Sequence, residues 1–247
     1  MDMRFFQIKR MLALLIACAA AAAVFPGTAF AAHAERDLPI YCVGRDDNVV
    51  SLSFDAAWGY EDTQQLIDIL AEHGIQATFF VVGEWVDKYP ESVKALFDAG
   101  HEVMNHSNTH PHFTQLSPAQ MAAEVKACAD KIEAVTGVRP NLFRPPYGDY
   151  NDAVVSTMRQ EGFYTIQWDV DSLDWKNPGS DAIVKRVLEK TRSGSIILFH
   201  NAAAQTPAAL PAILDGLIAR GFTFAPVSEL IYKDGFYMDH TGMQVKE

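Results

Sequence analysis

Hydrophobic and polar positions along this chain alternate between short apolar runs and longer amphipathic stretches. Val49–Phe54 is an apolar, β-branched strand candidate, and Asp62–His73 places Leu66, Ile67, Ile69 and Leu70 at helical spacing before Gly74 ends it. The same alternation predicts strands over Ala77–Val82, His101–Asn105, Leu142–Arg144, Tyr164–Val170, Ser195–His200 and Phe222–Ala225. Between them lie predicted helices over Glu91–Ala99, Ser117–Thr136, Asn151–Glu161, Asp181–Thr191 and Pro207–Arg220, with Ser117-Pro118 marking one start. Strands separated by helices imply parallel pairing through helical crossovers. The expected fold is therefore α/β, a single-domain distorted (β/α) barrel of about seven parallel strands, with a doubly wound open sheet as the alternative.

The N-terminus follows a different pattern. Arg4, Lys9 and Arg10 precede an apolar run from Met11 to Phe25, and Ala29-Phe30-Ala31 supplies small residues where a signal peptidase cleaves. Residues 1–31 are expected to be a signal peptide, or, if retained, an anchor built on residues 11–32. Leu15-Ile16-Ala17-Cys18 leaves a lipoprotein processing site as a third option, which the alanine run after Cys18 disfavours. Residues 32–47 then form a lead-in, 48–228 the catalytic-type domain and 229–247 a tail. The expected location is extracytoplasmic, with membrane contact only through an uncleaved N-terminal segment.

Composition narrows the function classes. The 247 residues are 49% hydrophobic and 21% charged, enough for one sizeable core. Net charge is −11, and residues 1–31 hold three basic residues against one acid, so a chain starting at Ala32 carries −13. Such a surface repels nucleic acid. The mature chain keeps only Cys42 and Cys128, a pair whose bonding spacing alone leaves open. A monomer is expected.

The candidate chemistry collects at strand ends. Asp55 follows the first strand, His106 the third, Arg144 ends the fourth, Asp169 and Asp171 flank the end of the fifth, and His200 ends the sixth. In a barrel these ends share one rim, where active sites form. His106 and His110, in His106-Ser107-Asn108-Thr109-His110, have a spacing that suits one divalent metal, although His101 and His112 lie close by and a His-x-x-x-His pair alone is weak evidence. No serine or cysteine sits in an elbow-type turn, so a metal-free nucleophilic esterase is disfavoured.

Five segments then match a known family. Ser53-Phe54-Asp55-Ala56-Ala57-Trp58-Gly59, His106–His110, Arg144-Pro145-Pro146-Tyr147, Asp171-Ser172-Leu173-Asp174-Trp175 and Leu198-Phe199-His200 resemble, in order, the motifs of NodB-type polysaccharide deacetylases, the family-four carbohydrate esterases. The first motif looks closest to a branch found in spore-forming bacteria. The resemblance implies a zinc-like divalent metal on His106 and His110, and removal of acetyl groups from N-acetylated sugars in peptidoglycan or chitin-like polymers. It assigns Asp55 as general base, His200 as general acid oriented by Asp174, Arg144 as the partner of Asp55, and the Tyr147 backbone N–H as an oxyanion donor. Trp175 and Leu198 would line the acetyl pocket, with Tyr147 and Trp58 also facing substrate.

One departure stands out. Most members carry a second acid directly after the catalytic aspartate, completing an Asp-His-His metal triad, and here that position is Ala56. Asp55, Asp62, His112 or solvent are the available substitutes, although an acid at Asp62 is also expected for helix capping. Two functional readings follow: a deacetylase holding its metal weakly, and a glycan- or cell-wall-binding protein that keeps the cleft without the chemistry.

Overall fold

The computed structural model describes residues 36–247, so the predicted leader lies outside the described residues. Seven parallel strands form the main sheet. They are β2 (Val49–Ala56), β3 (Thr78–Val81), β4 (Glu102–Asn105), β5 (Leu142–Phe143), β6 (Tyr164–Thr165), β7 (Val170–Asp171) and β8 (Ile196–His200), ordered β6-β5-β4-β3-β2-β8-β7. β2 is central, with Asp55 opposite Phe80 on one side and His200 on the other. A further short strand, β9 (Thr223–Phe224), pairs with the first two residues of β2.

The run predicted as one strand over Tyr164–Val170 is two strands on opposite edges of the sheet. Only five residue steps separate Thr165 from Val170, so the edges lie no more than about 18 Å apart. The sheet is thus curled into a distorted barrel whose gap is crossed by chain instead of a continuous ladder. The lead-in helps to lace that gap. Gln167 N donates to Ile40 O (2.7 Å), Ile40 N to Thr165 O (2.8 Å) and Val43 N to Gly194 O (2.9 Å).

Pleating of β2 separates two environments. Val50, Leu52 and Phe54 join the apolar cluster that also holds Leu66, Leu70, Ile213 and Leu214 from the helices Thr63–Glu72 and Thr206–Ala219. Phe54 stacks on Phe79 (4.7 Å) and Phe199 (5.3 Å). Ser51, Ser53 and Asp55 alternate with them and are buried polar groups on the other face.

The helices follow the predicted register within about two residues. The long one, Pro118–Thr136, starts with a capping box between Ser117 and Gln120 and ends at Gly137 in the left-handed region. Gly83–Lys88 is an additional helix, separated from Pro90–Asp98 at Tyr89. Asp62, expected to cap its helix, makes no side-chain cap bond; it instead accepts from Ala202 N (2.8 Å) in the loop after β8.

Residues read as a tail are folded. Phe236–Met238 (β10) and Met243–Lys246 (β11) form an antiparallel hairpin, and β11 pairs in parallel with β1 (Cys42–Val43). Gln244 is fully buried there and exchanges two 2.8 Å hydrogen bonds with the Tyr232 backbone. Cys42 and Cys128 are free and buried; the Cys128 thiol donates to Val81 O while Cys42 Sγ accepts from Arg192. Among the described residues, no helix is long and apolar enough to cross a membrane.

Candidate active site

At the C-terminal ends of the strands the structure opens a cleft of about 470 Å³ lined by Asp55, Trp58, His106, His110, Tyr147, Gly148, Trp168, Asp171, Trp175, Leu198 and His200. Every residue expected to face metal or substrate is in this lining. Arg144 and Asp174, the expected partners of Asp55 and His200, are fully buried.

Two charge pairs organise the cleft. Arg144 donates through Nη1 to Asp55 Oδ1 (2.8 Å) and through Nη2 to Ser53 Oγ (2.8 Å) and Gln167 O (3.1 Å), with Phe80 packed 4.2 Å from its guanidinium carbon. Burial opposes ionisation of Asp55, but the charge and hydrogen bond of Arg144, with a contribution from the nearby imidazoles, outweigh it and hold the carboxyl below its usual range. Beside His200 on the adjacent strand β8, Asp174 accepts four hydrogen bonds: from His200 Nδ1 (2.8 Å), His200 N (2.8 Å), Trp175 N (2.8 Å) and Thr206 Oγ1 (2.7 Å). Burial would lower the His200 pKa, but the hydrogen bond and charge of Asp174 prevail and raise it. The ionised form of one carboxylate and the protonated form of one imidazole are therefore both favoured, on adjacent strands of one cavity.

The two histidines of the His-x-x-x-His segment are the reverse case. His106 Nδ1 donates to Arg144 O (2.8 Å), leaving Nε2 with a free lone pair 3.5 Å from Asp55 Oδ2. Burial lowers its pKa, and lowers that of His110 to about 4, so both rings are neutral donors near pH 7. Their centroids are 5.0 Å apart. A ligand imidazole oriented by a backbone carbonyl on its far nitrogen is the usual second shell of a metal site. The third donor is lacking. Ala56 is buried in the apolar cluster with Phe54, Val81 and Val82, and no group of three or more His, Cys, Asp or Glu among the described residues is placed to hold an ion. His112, which stacks on Tyr147 (4.2 Å) and pairs with Asp149 (3.4 Å), and Asp62, whose Oδ2 accepts from Ala202 N, both lie outside the lining.

The loops carrying these groups hold unusual backbone. Ser107 (φ 71°) and His110 (φ 61°) after β4, Tyr147 (φ 61°) after β5, Leu173 (φ 58°) after β7 and Ala202 (φ 53°) after β8 are non-glycine residues in the left-handed region. Each costs roughly 1–2 kcal/mol, and their concentration around one cavity is typical of a functional site. His110 is held by its N–H bond to Ser107 Oγ (3.0 Å), and Ser107 N by Asn105 Oδ1 (2.9 Å). The Tyr147 turn is closed by Gly148 N and Asp149 N, so the Tyr147 N–H takes no part in its bonds.

Known proteins place the cleft in context. The family model described as polysaccharide deacetylase matches residues 43–166. The chain belongs to the polysaccharide deacetylase family. It is 36% identical, over 76% of its own length and 40% of the relative's, to the peptidoglycan-N-acetylmuramic acid deacetylase PdaC of Bacillus subtilis. It is 33% identical to a chitooligosaccharide deacetylase of a Bradyrhizobium strain, covering 78% of this chain and 98% of that one. It is also 32% identical to the B. subtilis protein YlxY and spans 60% of that protein's length. Among solved structures, BA3943 of Bacillus anthracis, described as a CE4 family pseudoenzyme, superposes with TM-score 0.76 at 34% identity over 78% of this chain and 69% of that one. A BA3943 mutant described as having restored enzymatic activity matches with the same TM-score at 36% identity, over 78% of this chain and 71% of that one.

Three features of this deacetylase-family site escaped sequence reasoning. Ser53, which supports Arg144, was visible in the Ser51-Ser53-Asp55 alternation along β2. Trp168 and Gly148 line the cleft only because the chain crosses from one sheet edge to the other beside them. Asp171 faces the cleft, whereas Asp169 sits at the start of β8, accepting from Ser195 Oγ (3.0 Å) and Ile196 N (3.0 Å). The expectation that both acids share the rim therefore fails for Asp169, because the short β7 places the two at different heights.

Proposed function

We propose that this protein hydrolyses the N-acetyl amide of an amino sugar in a cell-wall polysaccharide, peptidoglycan or chitin-like. The observation that carries this reading is the juxtaposition, in one cavity, of Asp55, held toward its ionised form by Arg144, and His200, held toward its protonated form by Asp174, beside the imidazoles of His106 and His110. The names of the peptidoglycan and chitooligosaccharide deacetylases to which the chain is similar support it.

Amide hydrolysis needs a base for water, a donor for the oxyanion and an acid for the leaving nitrogen. Asp55 takes the proton of the attacking water, its ionised form sustained by Arg144. The Tyr147 N–H meets the oxygen that gains charge as water adds to the acetyl carbon. His200, held by Asp174, gives its proton to the sugar nitrogen as the C–N bond breaks, leaving acetate and an amine. Trp175 and Leu198 bound the acetyl methyl, and Trp58 and the Tyr147 ring flank the sugar. His106 and His110 would hold a divalent ion, zinc by donor type, supplying Lewis acidity and a more acidic water. With two protein donors instead of three, such an ion would be held weakly.

Ala56 and the two-donor set favour a second reading, a glycan-binding protein without turnover; it also suits the description of BA3943 as a pseudoenzyme. Acetate release from N-acetylglucosamine oligomers and from peptidoglycan, at saturating zinc, separates the two. The hydrolase reading expects release that falls at least about a hundredfold in Asp55→Asn. No release from any such polymer, with Asp55→Asn matching wild type, leaves the binding reading. In either case action outside the cytoplasm, at the cell wall, is supported by the names of the peptidoglycan deacetylases to which the chain is similar.

A further inference from the structure

Exposed aromatic side chains cluster on the loop between β2 and the first helix. Trp58 is 62% exposed on the cleft wall, edge-on to His110 at 5.1 Å. Two residues on, Tyr60 is 48% exposed outside the cleft lining, one ring face covered by Tyr89 at 4.6 Å and 31°. Tyr89 is in turn braced edge-on by the buried Trp85 at 5.7 Å. Trp58 and Tyr60 are two positions apart on one loop, so an exposed aromatic outside the cleft follows closely on one that lines it.

That loop is built to stay in place. The carbonyl of Gly59, between the two aromatics, accepts from the buried Asn201 Nδ2 (2.6 Å) and from Trp85 Nε1 (2.8 Å). Ala202 N holds Asp62 (2.8 Å), and Tyr60 N donates to Glu61 Oε2 (2.8 Å). A Cβ on Gly59 would lie 3.0 Å from the Ala202 Cβ, so the loop packs closely against the segment after β8. Rigid aromatic faces bind with little loss of conformational entropy. A half-exposed ring backed by another ring suits the flat apolar face of a pyranose, and its place two residues beyond the cleft-lining Trp58 makes the next unit of the same chain its natural occupant.

We infer that Tyr60, stacked on Tyr89, is an outer sugar subsite that engages a unit of an N-acetylated glycan beyond the one in the cleft. This rests on the glycan specificity proposed above, though not on turnover. The protein therefore selects polymers over short fragments.

The test is the affinity of wild type, Tyr60→Ala, Tyr60→Phe and Tyr237→Ala, an exposed tyrosine outside the cleft lining, for β-linked N-acetylglucosamine oligomers, dimer through hexamer, by calorimetry in chelator. Wild type is expected to gain affinity with length. Tyr60→Ala loses about tenfold on the long oligomers and nothing on the dimer, while Tyr60→Phe and Tyr237→Ala match wild type. Equal losses at all lengths, length-independent binding by wild type, or no oligomer binding overturns the subsite. Acetate release by wild type is scored separately and bears only on hydrolysis.

Discussion

Arg144 is the residue on which the site depends most. Its charge is fully buried, and it meets Asp55, Ser53 and Gln167 while one nitrogen, Nε, has no partner among the described residues. Removing one member of such a pair strands the other without compensation. Arg144→Met is expected to cost about 3–5 kcal/mol in chemical denaturation at neutral pH, with the loss shrinking as acid neutralises Asp55. The two shifted groups also set a pH profile. Asp55 is held below its ordinary value, so its base form survives until pH falls beneath the normal carboxylate range; His200 is raised, so its acid form is lost only as pH climbs past the normal imidazole value. Any deacetylation should follow a broad bell. Asp174→Asn should draw the alkaline limb toward lower pH without moving the acid limb. Position 56 provides a third check. Ala56→Asp would bury an unpaired carboxylate, costing the metal-free protein about 1–3 kcal/mol, whereas zinc should recover that loss as a rise in Tm larger than zinc gives wild type.

At the scale of elements, closure of the barrel depends on a few close crossings. Gly194, at the turn into β8, has φ 76° and donates to Val49 O while accepting from Val43 N. A Cβ there would sit 1.7 Å from Val43 O, a backbone atom that cannot turn aside. Gly194→Ala should therefore destabilise by more than the roughly 1 kcal/mol of a left-handed alanine, with β1 losing amide-exchange protection first. Most of these elements were legible from hydrophobic periodicity, because each helix buries one stripe and strands such as β2 and β8 are short apolar runs. The split of Tyr164–Val170 was not. A run of apolar and aromatic residues shows that the segment is buried, but does not distinguish one strand from two ends joined across a barrel seam. The Gly83–Lys88 helix and the β10–β11 hairpin were missed because they are too short for a periodic signal and are stabilised by partners far along the chain.

Over the described residues, the first strand and the last meet. β11 lies against β1, and the lead-in bonds with Thr165, Gln167 and Gly194 at the seam. Deleting residues 236–247 should expose that seam and lower the thermal midpoint by several degrees. If acetate release is observed in the full chain, it should persist in the shortened protein below its new midpoint, because no hairpin residue lines the cleft.

The sequence by itself determined the α/β class, the five ordered motifs and the side chains that carry chemistry, since those depend on local periodicity and on residue type. It also showed the alanine at position 56, a chemical fact independent of folding. Tertiary structure decided which of the flagged groups meet. It put Asp171 in the cleft and Asp169 at the other end of a strand, tied Asp62 and His112 to other partners so that neither completes a metal site, and turned a stretch read as a tail into part of the barrel seam. The reason is that hydrogen-bond partners and burial are set by contacts between residues far apart in the chain, which spacing along it does not encode.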